Sequence, residues 1–122
     1  MPTDETLTLA ATRVLALSAE GPPIAGEREA TDLIGAAFSA DAGLVAIPLA
    51  RLTADFLDLK TRAAGLILQK FVNYGFRVAL IGDVTAEAAR SPALADFVRE
   101  SNRGRAVWFV ADLAELESRL AA

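Results

Sequence analysis

Asp58, Lys60 and Asp83 are the residues of this 122-residue chain whose side-chain types could support chemistry together. Two carboxylates can hold a hard cation such as Mg²⁺ or divide the roles of acid and base, and an ammonium can steady an anion. Thr53, Asp55 and Thr61 lie close by in sequence, Thr85 follows Asp83, and Asp112 follows the last apolar run. The aspartates show no repeat spacing of the kind a metal loop needs, so no metal site is assigned. Two further readings apply to the same residues. In one, Asp58, Ser91 and Asp112 cap helices and Asp83 closes a turn after Gly82, the commonest work for such side chains. In the other, they border a docking surface for a protein partner, with Thr61 or Thr53 modified. A phosphate at a helix N-terminus gains amide hydrogen bonds and favourable dipole energy.

Two more groups qualify as candidate binding residues. Arg99, Asn102 and Arg103 stand in the run Arg99–Arg105, where guanidinium forks suit carboxylate or phosphate. The same arginines also complement the carboxyl end of a helix. Gln69, Lys70, Asn73 and Tyr74 fall on the wet side of a helical pattern. That side is a solvated face or part of a helix-mediated interface, a homodimer among them. Trp108 lies inside an apolar run and reads as core.

The chain holds no histidine and no cysteine. That removes the usual general base, nucleophilic triads, disulfides and thiolate metal sites. Gly82-Asp83 has neither a P-loop lysine nor a dinucleotide fingerprint, and no Gly-x-Ser-x-Gly elbow occurs. No cofactor is implied. The net charge of −4 gives nucleic-acid binding no support. No apolar run approaches the roughly 20 residues of a membrane span. Met1–Thr6 carries Asp4 and Glu5 and no basic residue, the reverse of a secretory leader. The expectation is a cytoplasmic protein. Of the twelve basic residues only Lys60 and Lys70 are lysine, and both fall in one short segment.

The elements that must position these residues follow from periodicity. Residues 6–19 alternate in part and read as one or two strands, an antiparallel pair turning near Ala11–Arg13. A helix is expected over 29–40, with Leu33, Ile34, Ala37 and Phe38 on one face. Leu44–Ile47, Arg77–Gly82 and Ala106–Val110 are uninterrupted apolar runs, the mark of strands buried on both faces. Residues 50–58 form a loop or short turn. A long helix is expected from Leu59 to Asn73, capped by Asp58 and ended at Gly75. Ser91-Pro92 starts another helix, stopped by Gly104, and Asp112 with Glu115 opens a final one.

Just over half the residues are hydrophobic, ample for one core, and the length suits one domain. Helices alternating with such strands imply an α/β fold with a mixed, largely parallel sheet of about five strands. The strand ends would then share one rim with the start of the helix at Leu59, which is where ligands bind in open α/β sheets.

Two stretches resemble a known family. They are DFLDLKTRAAGLILQKFVNY from Asp55 to Tyr74, and Gly82-Asp83 followed by DFVRESNRG from Asp96 to Gly104. Both are similar to the bacterial domain-of-unknown-function 4180 (DUF4180) family, from about Leu44 onward. The resemblance implies a group and no activity. The element order is also similar to the anti-sigma-factor-antagonist (STAS) domains, which carry a regulatory serine at the start of the helix after their central strand. Thr61 is the nearest hydroxyl here. Together these readings favour a regulatory module that binds a protein or ligand, with a small enzyme using Asp58, Lys60 and Asp83 as the alternative.

Overall fold

The computed structural model describes residues 4–122; Met1–Thr3, the start of the acidic N-terminal stretch, lie outside the described residues. The chain opens with a hairpin, β1 (Glu5–Leu9) and β2 (Thr12–Ala16). Its two-residue turn is Ala10-Ala11, with φ of 46° and 67°. Positive φ at both central residues matches the right-handed twist of the flanking strands. It comes here without the usual asparagine or glycine, which is why the turn was expected one or two residues later.

Helix α1 (Glu27–Ser39) then leads to β3 (Leu44–Pro48). A 3₁₀ turn (Leu49–Arg51), a single helical turn α2 (Ala54–Leu57) and a second 3₁₀ turn (Leu59–Thr61) precede α3 (Ala63–Asn73). Strand β4 (Arg77–Ile81) is followed by α4 (Thr85–Arg90) and α5 (Pro92–Arg103). Strand β5 (Val107–Val110) and α6 (Leu113–Ala121) complete the order.

The five strands form one sheet in the order β1-β2-β3-β4-β5. β1 pairs with β2 antiparallel, and the three remaining pairings are parallel. The sheet is therefore mixed rather than largely parallel. The central strands β3 and β4 are buried on both faces, as their apolar runs require. On β3, Val45 and Ile47 enter one core with Leu15, Val78, Leu80 and Phe109. Their neighbours Leu44 and Ala46 enter the other with Val14, Ala79, Trp108 and Val110.

Strand order equal to chain order has a geometric consequence. Parallel crossovers of one hand place every connection on the same face of the sheet. The larger core accordingly gathers Ala30, Ile34 and Ala37 of α1, Phe56 of α2, Ile67, Leu68 and Phe71 of α3, and Phe97 and Val98 of α5. The second face is covered by α6 through Leu116, fully buried, with Leu113 and Leu120 beside it.

Two helices differ from expectation. Phe38 does not join the buried line of α1; it is 60 % exposed and packs edge-on against Phe76 and Tyr74. Ala30, Ile34 and Ala37 already define the inward line, and Phe38 is turned away from it. The helix expected from Leu59 begins at Ala63 instead, because Arg62 adopts a left-handed φ of 62°. Leu59–Thr61 closes as a separate 3₁₀ turn under the Asp58 cap. Helix α4 was not expected at all.

Candidate functional site

In the segments that follow β3 and β4, Asp58, Thr61 and Asp83 are each engaged by their own stretch of chain. Asp58 Oδ1 accepts from the Lys60 amide at 3.1 Å, capping the 3₁₀ turn. Thr61 Oγ1 lies 2.6 Å from the Asp55 carbonyl and 2.9 Å from that of Asp58, and accepts from the Ala63 amide at 3.2 Å. Its hydroxyl thereby joins the end of α2 to the start of α3. Lys60 and Thr61 belong to the 3₁₀ turn and not to the first turn of the long helix.

Asp83 accepts from the amide of Thr85 at 2.8 Å and from the Thr85 hydroxyl. These two bonds, the hydroxyl first, hold the exposed Asp83 carboxyl below the ordinary aspartate range. Asp83 thus closes the turn after Gly82, whose φ is 146° and whose α-carbon faces Leu49. An added Cβ at Gly82 would stand 2.7 Å from Leu49 Cδ1. Asp112 accepts from Glu115 N at 2.8 Å, and Ser91 from Leu94 N at 3.2 Å.

One cleft, about 370 Å³, lies between α2 and the α4–α5 corner. Its lining includes Asp58, Glu87, Arg90 and Ser91. Glu87 Oε2 is buried there without a hydrogen-bond partner. Asp55, Lys60, Thr61 and Asp83 are not part of that lining. Glu87 was missed in the sequence because α4 was missed. Among the described residues no group of three or more His, Cys, Asp or Glu side chains is placed to hold a metal ion.

The second group does come together. Gln69, Lys70, Asn73 and Tyr74 line one cleft with Glu27 and Leu66, on the outer surface of α1 and α3. Gln69 Nε2 donates to Asn73 Oδ1 at 2.7 Å. Leu66 is 54 % and Tyr74 56 % exposed, and the exposed Phe38 packs edge-on against Tyr74.

The third group separates. Arg99 pairs with Asp96, and Arg103 with Glu100 at 2.9 Å, both as exposed contacts along α5. Asn102 turns inward: its Oδ1 accepts from the Phe109 amide at 2.7 Å and so occupies a donor on the outer edge of β5.

Sequence reasoning also passed over Arg51, which is 5 % exposed. Its Nε donates to the Pro22 carbonyl at 2.7 Å and its Nη1 to that of Ser18 at 2.8 Å, with Asp4 3.9 Å away. Arg51 therefore pins the segment before α1 against the end of β3. An apolar hollow beside it is lined by Pro22, Pro23, Ile24 and Leu33. Nothing local in the sequence distinguishes Arg51 from an exposed arginine.

Fold and rim define a mixed α/β domain in which Asp58, Ser91 and Asp112 are caps and Asp83 closes a turn, with an exposed apolar and amide-bearing face on its helical layer. The family described as "Domain of unknown function (DUF4180)" matches residues 9–120. The chain belongs to that family. No curated protein and no solved structure matches it. No helix of the described residues is long and apolar enough to cross a membrane.

Proposed function

We propose that this chain is a single-domain regulatory module, STAS-like in outline and cytoplasmic, that acts by association through the outer face of α1 and α3. The observation that carries the reading is the exposed pair Leu66 and Tyr74, with Phe38 edge-on to Tyr74, beside Gln69, Lys70 and Asn73. Large apolar side chains grouped with amides and one ammonium fit a surface that a protein covers. The separate engagement of Asp58 and Asp83 in local caps also supports association over chemistry.

Affinity capture from the native host with wild type, Leu66→Glu and Tyr74→Ser tests this. Light scattering runs in parallel to detect self-association. The expected result is a specific partner, or a dimer, that both variants lose while melting like wild type. Unchanged capture and unchanged mass in both variants would refute it.

A second reading, a small enzyme, has one observation in its favour: the unpartnered Glu87 Oε2 in the cleft that Asp58 also lines. Buried carboxylates without partners are more typical of reactive sites than of caps. A Mg²⁺-dependent rise in melting temperature that Glu87→Gln abolishes would favour it; none in wild type would remove it.

A further inference from the structure

At the opposite rim, where β4 and β5 begin, Arg77 and Arg119 stack on the chain's one tryptophan, and Arg105 is near enough to Arg77 to act on its charge. Arg77 Cζ lies 4.4 Å and Arg119 Cζ 4.2 Å from the centre of the Trp108 ring. Trp108 is 5 % exposed. The segment Asn102–Arg105 anchors all three side chains through its carbonyls. Arg119 Nη2 donates to Asn102 O at 2.7 Å, Trp108 Nε1 to Gly104 O at 2.8 Å and Arg77 Nε to Arg105 O at 2.6 Å. Arg105 itself is exposed.

Two features of this arrangement are unresolved within the chain. Arg77 Nη2 is buried and has no hydrogen-bond partner. Among the described residues, no carboxylate lies within ion-pair distance of Arg77, Arg105 or Arg119. The chain as a whole carries 16 acidic residues and a net charge of −4, so the missing counter-charge is local. Burial, and then the neighbouring guanidiniums of Arg105 and Arg119, lower the proton affinity of Arg77. Like charges acting on Arg77 without a counter-ion are unfavourable, and a buried N–H without an acceptor costs free energy. A doubly charged oxyanion would offset both.

We propose that Arg77, Arg105 and Arg119 form a binding site for a phosphate group, with Trp108 as its apolar wall. Guanidinium forks match the spacing of phosphate oxygens, and the stack on Trp108 holds two of the three forks in place before the ligand arrives. The site is separate from the α1–α3 face and does not depend on it.

The full chain is titrated with inorganic phosphate, and in parallel with a simple phosphate monoester, against chloride at matched ionic strength. Emission of Trp108 is the readout, with the melting temperature as a second. A saturable emission change and a rise in melting temperature are expected. Arg105→Gln, at an exposed position, should melt like wild type without phosphate and bind it about tenfold more weakly. Arg99→Gln, whose guanidinium pairs elsewhere, should bind like wild type. Tighter binding of the monoester would assign the ligand to phosphorylated molecules, and tighter binding of inorganic phosphate to the free ion. No saturable response, or equal affinity in Arg105→Gln, would overturn the site.

Discussion

Gly21 and Arg51 should behave as one unit, and a double-mutant cycle can measure it. A Cβ added at Gly21 would stand 2.4 Å from both Cζ and Nη1 of Arg51. Ordinary contact needs roughly 3.5 Å or more, so the guanidinium would have to retreat by about 1 Å. The tip of an arginine normally yields to such pressure. This one is buried and fixed by carbonyls at 2.7 and 2.8 Å, and it cannot move that far and keep both bonds. Gly21→Ala should therefore cost about 2 kcal/mol. Arg51→Ala removes both charge-assisted bonds and strands two carbonyls; at about 1.5–3 kcal/mol per bond, less what entering water recovers, the loss is about 3 kcal/mol. In the Arg51→Ala background the new methyl enters vacated space, and Gly21→Ala should shift stability by under about 0.5 kcal/mol. The expected coupling is thus about 2 kcal/mol, a sizeable share of the roughly 5–15 kcal/mol of a typical domain. Urea unfolding of the four proteins, followed by circular dichroism, measures it. If Gly21→Ala costs the same in both backgrounds, Arg51 does not press on Gly21 as a fixed clamp.

Other perturbations have equally definite outcomes. Leu116→Ala should lose about 2–5 kcal/mol in urea unfolding, because Leu116 is fully buried where α6 seals its face of the sheet. Gly82→Ala should lose at least about 1–3 kcal/mol, since it adds strain at φ 146° to a clash with Leu49, and thermal melts will show it. Ala11→Gly should stabilise by about 1 kcal/mol, because alanine pays for a φ of 67° that glycine adopts freely. In a carbon-detected NMR titration, Asp83 should titrate below the ordinary aspartate range, and Thr85→Val should move it upward. A depressed folded-state value means that this carboxylate stabilises the fold above the unfolded-state pKa. The contribution disappears as pH falls through the folded value.

What was legible in the sequence was local. Leu44–Ile47 and Val78–Ile81 announce buried strands because no polar residue interrupts them. Ser91, Asp112 and Gly75 announce helix ends because a cap needs only its own next few residues. The break at Arg62 was hidden because the apolar spacing runs straight across it. The Thr61 hydroxyl that organises the junction reaches back six residues to Asp55. Arg51 was opaque for a stronger reason: its acceptors lie 29 and 33 residues away. The Trp108 stack likewise joins residues from β4, β5 and α6. The grouping of Asp58, Lys60 and Asp83 rested on a shared rim, and what a sequence hides there is the local engagement: Asp58 caps its own 3₁₀ turn and Asp83 closes its own loop.

The sequential strand order also bears on how the chain is made. Every element of the larger layer can dock as soon as the strand that follows it emerges. The reverse side, with Val14, Leu44, Ala46, Ala79 and Trp108, has no cover until the nine residues of α6 have been synthesised. A ribosome paused anywhere before Leu113 would hold a nascent sheet with one greasy side bare. Chaperones, or neighbouring nascent chains, would meet that side first.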